Sequence, residues 1–365
     1  MVPFMDLARM HAPLQDAFVT AFERILVDGR YIMGPDVSAL EAEVSALLGV
    51  NHAIGVSSGT DALLASLMAL DIGPGDEVIV PSFTFFATAG VVSRLGATPV
   101  FADVDPETLV MDSESALSKL SEKTRAFIPV HLYGQCMDLL PLQETGLPVI
   151  EDAAQSMGAL NSTGQQAGAV GDMGCFSFFP TKTLGGFGDG GMVVTNNADL
   201  ADRLRLIRVH GARPKFHHNR VGGNFRLDAL QAALLRIKLP HLNRWAQERR
   251  DIAARYTQAL ASLRDSGQIR FTKTLPGTHV YHQYVIRVED RTELQQALQG
   301  KVGTAIYYPE PLHLQPCFSS LGYRSGDLPV VEQACLEVLA LPCFPGLSSE
   351  EQDTVIGALQ QHYRS

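Results

Sequence analysis

Residues 177–191 have the sequence SFFPTKTLGGFGDGG, in which Lys182 stands between an apolar run and a glycine-rich loop. Upstream, residues 148–155 have the sequence PVIEDAAQ, which predicts a buried strand that ends in acid. Pyridoxal phosphate (PLP) chemistry requires such a pair, because the amine forms a Schiff base with the cofactor aldehyde while the carboxylate keeps the pyridine nitrogen protonated. The two segments therefore predict a PLP site around Lys182 and Asp152.

Short apolar runs alternate with helical patterns on both sides of this segment. Residues 53–56 predict a strand, and Ser57 is expected to cap a helix that continues to about Leu70. The alternation predicts an α/β fold with a mostly parallel sheet covered by helices. After residue 240 the pattern changes, and strands are expected near residues 281–288 and 304–308. We therefore predict a large domain at residues 1–240, including the N-terminal helices, and a smaller α+β domain at residues 241–365.

Composition narrows the class of partner. Of the 365 residues 46% are hydrophobic, which predicts a globular protein with a large core. The formal net charge of −10 argues against nucleic acid or an anionic membrane as the main partner. We see no signal peptide and no membrane span, and the five cysteines lack CxxC spacing, so a cytoplasmic protein with reduced thiols is expected. No metal site is predicted, because the histidine pairs 217–218 and 279/282 lack further ligands at useful spacing.

Residues 58–61, with the sequence SGTD, lie between a predicted strand and helix. A helix N-terminus offers free amides and Gly59 permits close approach of a phosphate, so this turn is a candidate phosphate cup, with Ser177 as a hydroxyl donor. An ordinary capped turn is the alternative. The GxGxxG match at residues 186–191 is not a dinucleotide site, because it precedes a strand instead of opening a helix.

Other candidates also have plainer alternatives. Asp152 is either the pyridine partner or a strand-end cap, and Lys182 is either the reactive amine or a solvated loop lysine. Gln155 either reaches the cofactor's phenolic oxygen or is a surface amide, whereas Phe85 either stacks on the cofactor ring or belongs to the core. The arginines of residues 244–255, with their tryptophan, are predicted to form a solvated helix face.

The chain resembles the DegT/DnrJ/StrS family of PLP-dependent sugar aminotransferases, which has the aspartate aminotransferase (type I) fold. The resemblance extends nearly from end to end. It is carried by the following segments: 57–63 (SSGTDAL), 75–79 (GDEVI), 81–85 (PSFTF), 130–134 (VHLYG), 151–155 (EDAAQ), 177–191, 223–228 (GNFRLD) and 306–309 (IYYP).

The resemblance implies roles for particular residues around the cofactor. Lys182 would be the Schiff-base lysine and proton shuttle, Asp152 the partner of the pyridine nitrogen, Gln155 a neighbour of O3′ and Phe85 the stacking ring. The phosphate would be held by Gly59, Thr60 and the backbone of Asp61 in the cup, together with Ser177. Asn224 would reach the phosphate of a neighbouring subunit, which implies a homodimer with shared active sites.

The substrate side is less closely specified by the resemblance. Phe187 stands where relatives often carry tyrosine, and Tyr308 and His313 are expected to face the substrate. Arg220 is a candidate for lining the path of an anionic sugar diphosphate. The resemblance implies transfer of an amino group from L-glutamate to a nucleotide-linked keto-sugar, with a 3-keto hexose on UDP or dTDP favoured over a 4-keto sugar. The product would be an amino sugar for a surface polysaccharide, a lipopolysaccharide or a glycosylated natural product.

Two alternatives remain open at this point. One is a PLP-dependent sugar dehydratase, although relatives that dehydrate carry histidine at the position of Lys182. The other is a non-catalytic, PLP-binding regulator, against which the combination of lysine, aspartate and phosphate cup argues.

Overall fold

The computed structural model describes residues 1–364. Its strands are β1 His52–Val56, β2 Glu77–Pro81, β3 Thr98–Ala102, β4 Thr124–Phe127, β5 Ile150–Asp152, β6 Met173–Ser177, β7 Gly191–Thr195, β8 Arg270–Phe271, β9 Tyr284–Arg287 and β10 Val338–Leu341. Its α-helices are α1 Leu7–His11, α2 Gln15–Asp28, α3 Pro35–Leu48, α4 Gly59–Ala69, α5 Ala87–Arg94, α6 Ser113–Ser118, α7 Leu140–Gln143, α8 Ala198–Ile207, α9 Ala229–Lys238, α10 Leu242–Ala259, α11 Ala261–Asp265, α12 Arg291–Leu298, α13 Pro329–Glu337 and α14 Ser349–His362.

The first seven strands form one mostly parallel layer, as the sequence predicted. Strands β3, β2 and β4 pair in parallel, and β5 pairs in parallel with β6. Parallel bridges from Phe127 to Val149 and from Val130 to Asp152 join the two groups, giving the order β3-β2-β4-β5-β6-β7-β1. Strand β7 runs antiparallel to both β6 and β1. The loop of residues 178–190, which carries Lys182, therefore starts and ends at the same edge of the sheet.

Helices cover this sheet because its strands are apolar on both faces. The strands β1, β2, β6 and β7 are buried almost throughout, and α4 is buried along most of its length. Helix α4 packs against β6 and β7 and against α5 and α8. Parallel strands with two buried faces require this apolar composition.

A second, smaller sheet lies in the C-terminal part of the chain. Its antiparallel order is β10-β9-β8, and a separate core of buried apolar side chains surrounds it with α10, α12 and α14. Helix α14 begins with a capping box, in which Ser348 and Glu351 each accept a hydrogen bond from the other's backbone. The division of the chain at residue 240 stays a prediction.

Three local predictions were wrong. The helix after β1 is capped by Ser58, not Ser57, since Ser58 Oγ accepts a hydrogen bond from the Asp61 amide at 2.9 Å. Residues 304–308 do not form a strand, and Ala305 makes one antiparallel bridge to Ala340. The solvated face predicted on α10 is wrong for Trp245 and Arg249, which are buried, whereas Arg244 is exposed. Arg249 can be buried because its guanidinium donates to backbone carbonyls, including that of His282 at 3.3 Å.

Neither a membrane-spanning helix nor a metal-binding cluster is found in the described part of the chain. Between residues 1 and 364 no helix is both long and apolar enough to cross a membrane. Over the same residues, His, Cys, Asp and Glu side chains form no group of three or more that would hold a metal ion.

Candidate active site

A cavity of about 410 Å³ opens at the carboxyl edge of the large sheet, where ligands of open α/β sheets bind. Segments that follow β1, β2, β4, β5 and β6 line it together with residues 282–283 and 307–308. Of the residues predicted from the sequence, eight line this cavity: Gly59, Thr60, Phe85, Asp152, Gln155, Ser177, Lys182 and Tyr308. The fold therefore brings most of the predicted cofactor site together.

The charges of Lys182 and Asp152 stabilise each other inside this cavity. Burial raises the pKa of Asp152, and the Lys182 charge is one of the influences that oppose the rise. Burial likewise lowers the pKa of Lys182, whereas the Asp152 charge opposes that change. A lysine with a lowered pKa is more often neutral near pH 7 and is therefore a better nucleophile and base.

A threonine pair supports the Asp152 carboxylate. Thr88 Oγ1 donates to Asp152 Oδ2 at 2.8 Å, and the Ala154 amide donates to Oδ1 at 3.2 Å. Thr84 Oγ1 lies 3.2 Å from Thr88 Oγ1. The hydrogen bond from Thr88 is the strongest influence that keeps the pKa of Asp152 from rising further. No sequence motif indicated Thr88, which lies on α5 and is separated from β5 along the chain by strands β3 and β4.

The neighbouring acid, Glu151, points to the opposite face of β5. It is fully buried, and His131 Nε2 lies 2.6 Å from its Oε2. The amides of Gly168, Val170 and Gly171 donate to the same carboxylate at 2.6–2.7 Å. Because successive side chains of a strand alternate between faces, only Asp152 reaches the cavity and Glu151 fixes the loop beneath it.

The N-terminus of α4 forms the opposite wall. The amides of Gly59 and Thr60 stand in the first turn of the helix, where an intrahelical acceptor is lacking. The Asp61 amide instead donates to Ser58 Oγ, and the Asp61 carboxylate accepts from Ser57 Oγ at 2.6 Å, so Asp61 does not line the cavity. A partial positive charge at this terminus suits an anion.

Gly59 has a steric reason to be glycine. A Cβ built on it would lie 2.6 Å from Ser177 Cβ and 3.1 Å from Ser177 Oγ. Any larger residue would separate the end of β6 from the start of α4. The close contact places the Ser177 hydroxyl beside the free amides of the helix, as a phosphate cup requires.

Gln155 and two tyrosines form the third side. Gln155 Oε1 accepts from the Tyr133 amide at 2.6 Å, and its Nε2 donates to Tyr308 Oη at 3.2 Å. Gln155 is buried, so the surface-amide alternative is wrong. Phe85 is 58% exposed at the cavity mouth, which excludes the core alternative, and its ring centroid lies 6.5 Å from that of Tyr308.

A buried lysine outside the cavity anchors the loop that carries Lys182. Lys238 is 1% exposed, and its Nζ donates to the Gly185 carbonyl at 2.5 Å and lies 2.8 Å from His11 Nε2. Burial lowers the pKa of Lys238 to about 8. Burial and the Lys238 charge lower the pKa of His11 to about 4. The N-terminal helix α1 is thereby tied to the glycine-rich loop.

Besides Asp61, four predicted site residues lie outside the cavity of this chain. Phe187 packs on the rings of His11 and Phe18, each with centroids 4.9 Å apart. Arg220 pairs with Asp71 at 2.5 Å. The other two are His313, which is buried with Nδ1 2.7 Å from Ser82 Oγ, and Asn224, which is exposed and makes a backbone bridge to Val209. Their expected contacts with substrate or with a neighbouring subunit stay predictions.

The sequence also missed residues that do line the cavity. His282 and Gln283 stand in its wall, although the sequence placed them within a strand of the smaller domain. The strand begins only at Tyr284, so the two preceding side chains are free to turn toward the large sheet. Their direction depends on tertiary packing, and no motif indicated it.

The donor set fits PLP. A lysine and a carboxylate face one cavity, two free helix amides and a serine hydroxyl stand where a phosphate would bind, and an exposed phenylalanine borders the space between them. These are the groups that the cofactor's aldehyde, pyridine nitrogen, phosphate and ring face need.

Comparison with known proteins agrees with this arrangement. A model of the DegT/DnrJ/EryC1/StrS aminotransferase family matches residues 13–360. The UDP-N-acetyl-3-dehydro-alpha-D-glucosamine 3-aminotransferase of Acidithiobacillus ferrooxidans is 45% identical over 96% of this chain and 95% of its own length. A protein of Geobacillus stearothermophilus named as a pleiotropic regulatory protein is 46% identical over 100% of this chain and 99% of its own.

Solved structures show the same fold. Streptomyces venezuelae DesV, crystallised in complex with a ketimine intermediate, superimposes with a TM-score of 0.95 at 41% identity, covering 99% of this chain and 98% of that one. Related structures include forms named for PLP and for its amine counterpart. With a matching family model, relatives above 40% identity across their whole length and a cavity built for the cofactor, this chain belongs to the PLP-dependent DegT/DnrJ/EryC1/StrS aminotransferase family.

Proposed function

We propose that this protein transfers an amino group from L-glutamate to the 3-keto group of a hexose linked to UDP or dTDP. The observation that carries the proposal is the pair formed by Lys182 and Asp152, whose side chains face one cavity and influence each other's pKa. The preference for a 3-keto sugar is supported by relatives named for 3-amino or 3-dehydro sugars on UDP or dTDP.

In this proposal, the residues around the cofactor each hold one part of it. Lys182 provides the covalent link, Asp152 pairs with the pyridine nitrogen, Gln155 lies beside O3′ and Phe85 covers one ring face. The phosphate group is held by Gly59, Thr60 and Ser177. PLP, when bound, supplies an electron sink that stabilises the electron pair left at a carbon after proton loss.

The chain's own contribution to the chemistry is proton transfer and positioning. The lowered pKa of Lys182 leaves its Nζ able to take a proton from the reacting carbon of a bound substrate and to return it in the second half of the reaction. Thr88 and the Ala154 amide stabilise the ionised form of Asp152 in a site where burial raises its pKa.

We also propose that two chains form a homodimer with shared sites. Helix α2 and the turn after it expose large apolar side chains, which are uncommon on a monomer surface in such density: Val19, Phe22, Leu26, Val27, Tyr31 and Ile32. Phe216 and Val221, on the segment that leads to Asn224, are also more than 80% exposed. A partner would cover these side chains and bring Asn224 and Arg220 toward the other chain's cavity.

The cytoplasm is the proposed compartment, because the five cysteines are unpaired and would stay reduced there.

The direct test is the absorption spectrum of the purified, PLP-loaded protein. We expect a visible band that L-glutamate bleaches, and we expect Lys182→Ala to lose the band. Borohydride reduction should attach the cofactor covalently to the peptide that contains Lys182, and mass spectrometry should find the added mass there. The matched control is Lys273→Ala, which removes an exposed lysine paired with Glu107 and should keep the band. An unchanged spectrum in Lys182→Ala would refute the assignment.

The same assay separates the alternatives. A regulator that only binds PLP would keep its band in the presence of every amino acid tested, whereas an aminotransferase loses it and regains it when a keto-sugar is added. A sugar dehydratase would carry histidine in place of Lys182, and this chain does not. Neither alternative is supported by the relatives with enzyme names, and the regulatory name of one relative does not assign a role to this chain.

A further inference from the structure

Two adjacent side chains in the cavity wall have polar atoms without a partner. His282 is 5% exposed and Gln283 is 7% exposed, and both line the cavity. Within residues 1–364, His282 Nδ1 and Gln283 Oε1 are buried and make no hydrogen bond. Buried polar atoms are nearly always paired, so each such exception calls for an explanation.

The protein's own neighbouring groups do not supply the missing partners. Gln155 is occupied by the Tyr133 amide and Tyr308 Oη. The Arg249 guanidinium, which packs behind this segment, donates to the carbonyls of Tyr281, His282 and Cys343 instead of to either side chain. An unpaired buried group lowers stability. Because the two unpaired atoms have almost no accessible surface, the side chains must turn to meet a molecule bound in the cavity, and such a molecule would then remove that penalty.

The chemistry of the pair indicates which ligand group it suits. Burial, and next the charges of Lys182 and Arg249, lower the pKa of His282 well below its usual range, so its ring is neutral. A glutamine amide is also neutral, and both groups can donate as well as accept. Carboxylates and phosphates are best bound by cations or several amides, whereas hydroxyl groups, which also donate and accept, match a neutral pair.

We propose that His282 and Gln283 hydrogen-bond hydroxyl groups on the sugar ring of the acceptor substrate and so help to select which keto-sugar reacts. The inference rests on the proposed function and assigns one wall of the same cavity to the sugar. A site built to hydrogen-bond a hydroxyl rejects analogues that lack it far more strongly than an apolar wall rejects an added hydroxyl. These two residues would therefore affect specificity more than they affect the cofactor.

The test compares Gln283→Met with Gln135→Met in the PLP-loaded protein. Gln135 is also buried, but it lies outside the cavity and both ends are paired, with Nε2 donating to the Thr108 carbonyl at 2.8 Å and Oε1 accepting from the Leu275 amide at 3.1 Å. Calorimetry would measure binding of UDP-N-acetylglucosamine, dTDP-glucose, and free UDP and dTDP. We expect Gln283→Met to weaken the better-bound sugar nucleotide about tenfold and its free nucleotide less than about twofold.

Thermal unfolding gives an independent readout. Because Gln283 Oε1 has no partner, Gln283→Met should keep or raise the Tm, whereas Gln135→Met should lower it by breaking two buried hydrogen bonds. Equal weakening of sugar nucleotide and free nucleotide, no weakening, or a loss confined to the reaction with L-glutamate would each overturn the inference. If the unaltered protein bound neither sugar nucleotide, the proposed acceptor would fall with it, while the Lys182 spectrum would still test the cofactor assignment separately.

Discussion

Thr88 offers the sharpest test of what stabilises the ionised form of Asp152. Its hydroxyl donates to Asp152 Oδ2 at 2.8 Å in a fully buried setting, and burial already raises the pKa of this carboxyl. Thr88→Val keeps the side-chain shape and removes the donor. A hydrogen bond to a charged group contributes about 1.5–3 kcal/mol, which corresponds to roughly a 10- to 100-fold change in rate if the carboxylate is needed in the transition state.

The assay is stopped-flow bleaching of the visible cofactor band by L-glutamate. We expect Thr88→Val to slow this half-reaction by about 10- to 100-fold, and Thr88→Ser, which keeps the hydroxyl, to stay within about threefold of the unaltered protein. Without the donor the pKa of Asp152 rises further, so the defect should be larger at pH 6 than at pH 9. Equal rates in the two variants, or a defect that does not change with pH, would refute the role given to this hydrogen bond.

Three further changes test the structure elsewhere. Gly59→Ala would place a Cβ 2.6 Å from Ser177 Cβ, and such crowding costs about 1–3 kcal/mol. PLP affinity, measured by fluorescence titration, should therefore fall about tenfold or more, and an unchanged affinity would contradict the phosphate cup. Burial lowers the pKa of His279 to about 3, so its protonation in the unfolded chain costs stability as the pH falls below about 6.5. Between pH 7 and pH 5, the free energy of unfolding in urea should fall by about 2 kcal/mol less in His279→Asn than in the unaltered protein. Equal decreases in the two proteins would contradict this effect. Glu337→Ala would leave the buried Arg287 without its carboxylate partner 2.8 Å away and should destabilise the protein by about 3–5 kcal/mol. Glu107→Ala removes the partner of the exposed Lys273 and should change stability by less than about 1 kcal/mol. Similar effects of the two variants in urea unfolding would contradict the importance given to burial of the ion pair.

The convergence of the cofactor groups was predictable because it follows from sheet geometry. Asp152 ends β5, Lys182 follows β6 and Gly59 follows β1, and β1, β5 and β6 all run in the same direction. Parallel strands end at one edge, so side chains placed just after them must meet there. A local pattern of strand, turn and acid was therefore enough to predict that these residues meet at one cavity.

Side-chain direction was not predictable by the same reasoning. Glu151 and Asp152 are both acids at the end of one strand, and strand alternation sends them to opposite faces without indicating which face holds the cavity. Phe187 follows the lysine loop closely, yet it packs outward on α1 and α2. Nearness to Lys182 in the sequence therefore did not establish nearness to the cavity.

Contacts between distant segments were also beyond a local pattern. Thr88 and Gln283 reach the site from α5 and from the segment before β9, and Arg249 is buried because backbone carbonyls of other segments surround it. Charged residues spaced along a helix usually predict a solvated face. Arg249 is an exception, because its guanidinium donors are hydrogen-bonded to carbonyls inside the protein.

The reversed direction of β7 has a consequence for how this enzyme can be varied. Ser177 and Gly191 are paired across β6 and β7, so residues 178–190 form a loop whose two ends lie on neighbouring strands. Closing such a short segment costs little chain entropy and does not depend on a distant crossover. We therefore expect the segment to be exchangeable as a unit between relatives that keep its contacts with Lys238 and with His11 and Phe18. Such an exchange would move Lys182 and its glycine-rich surroundings together while leaving both flanking strands in register.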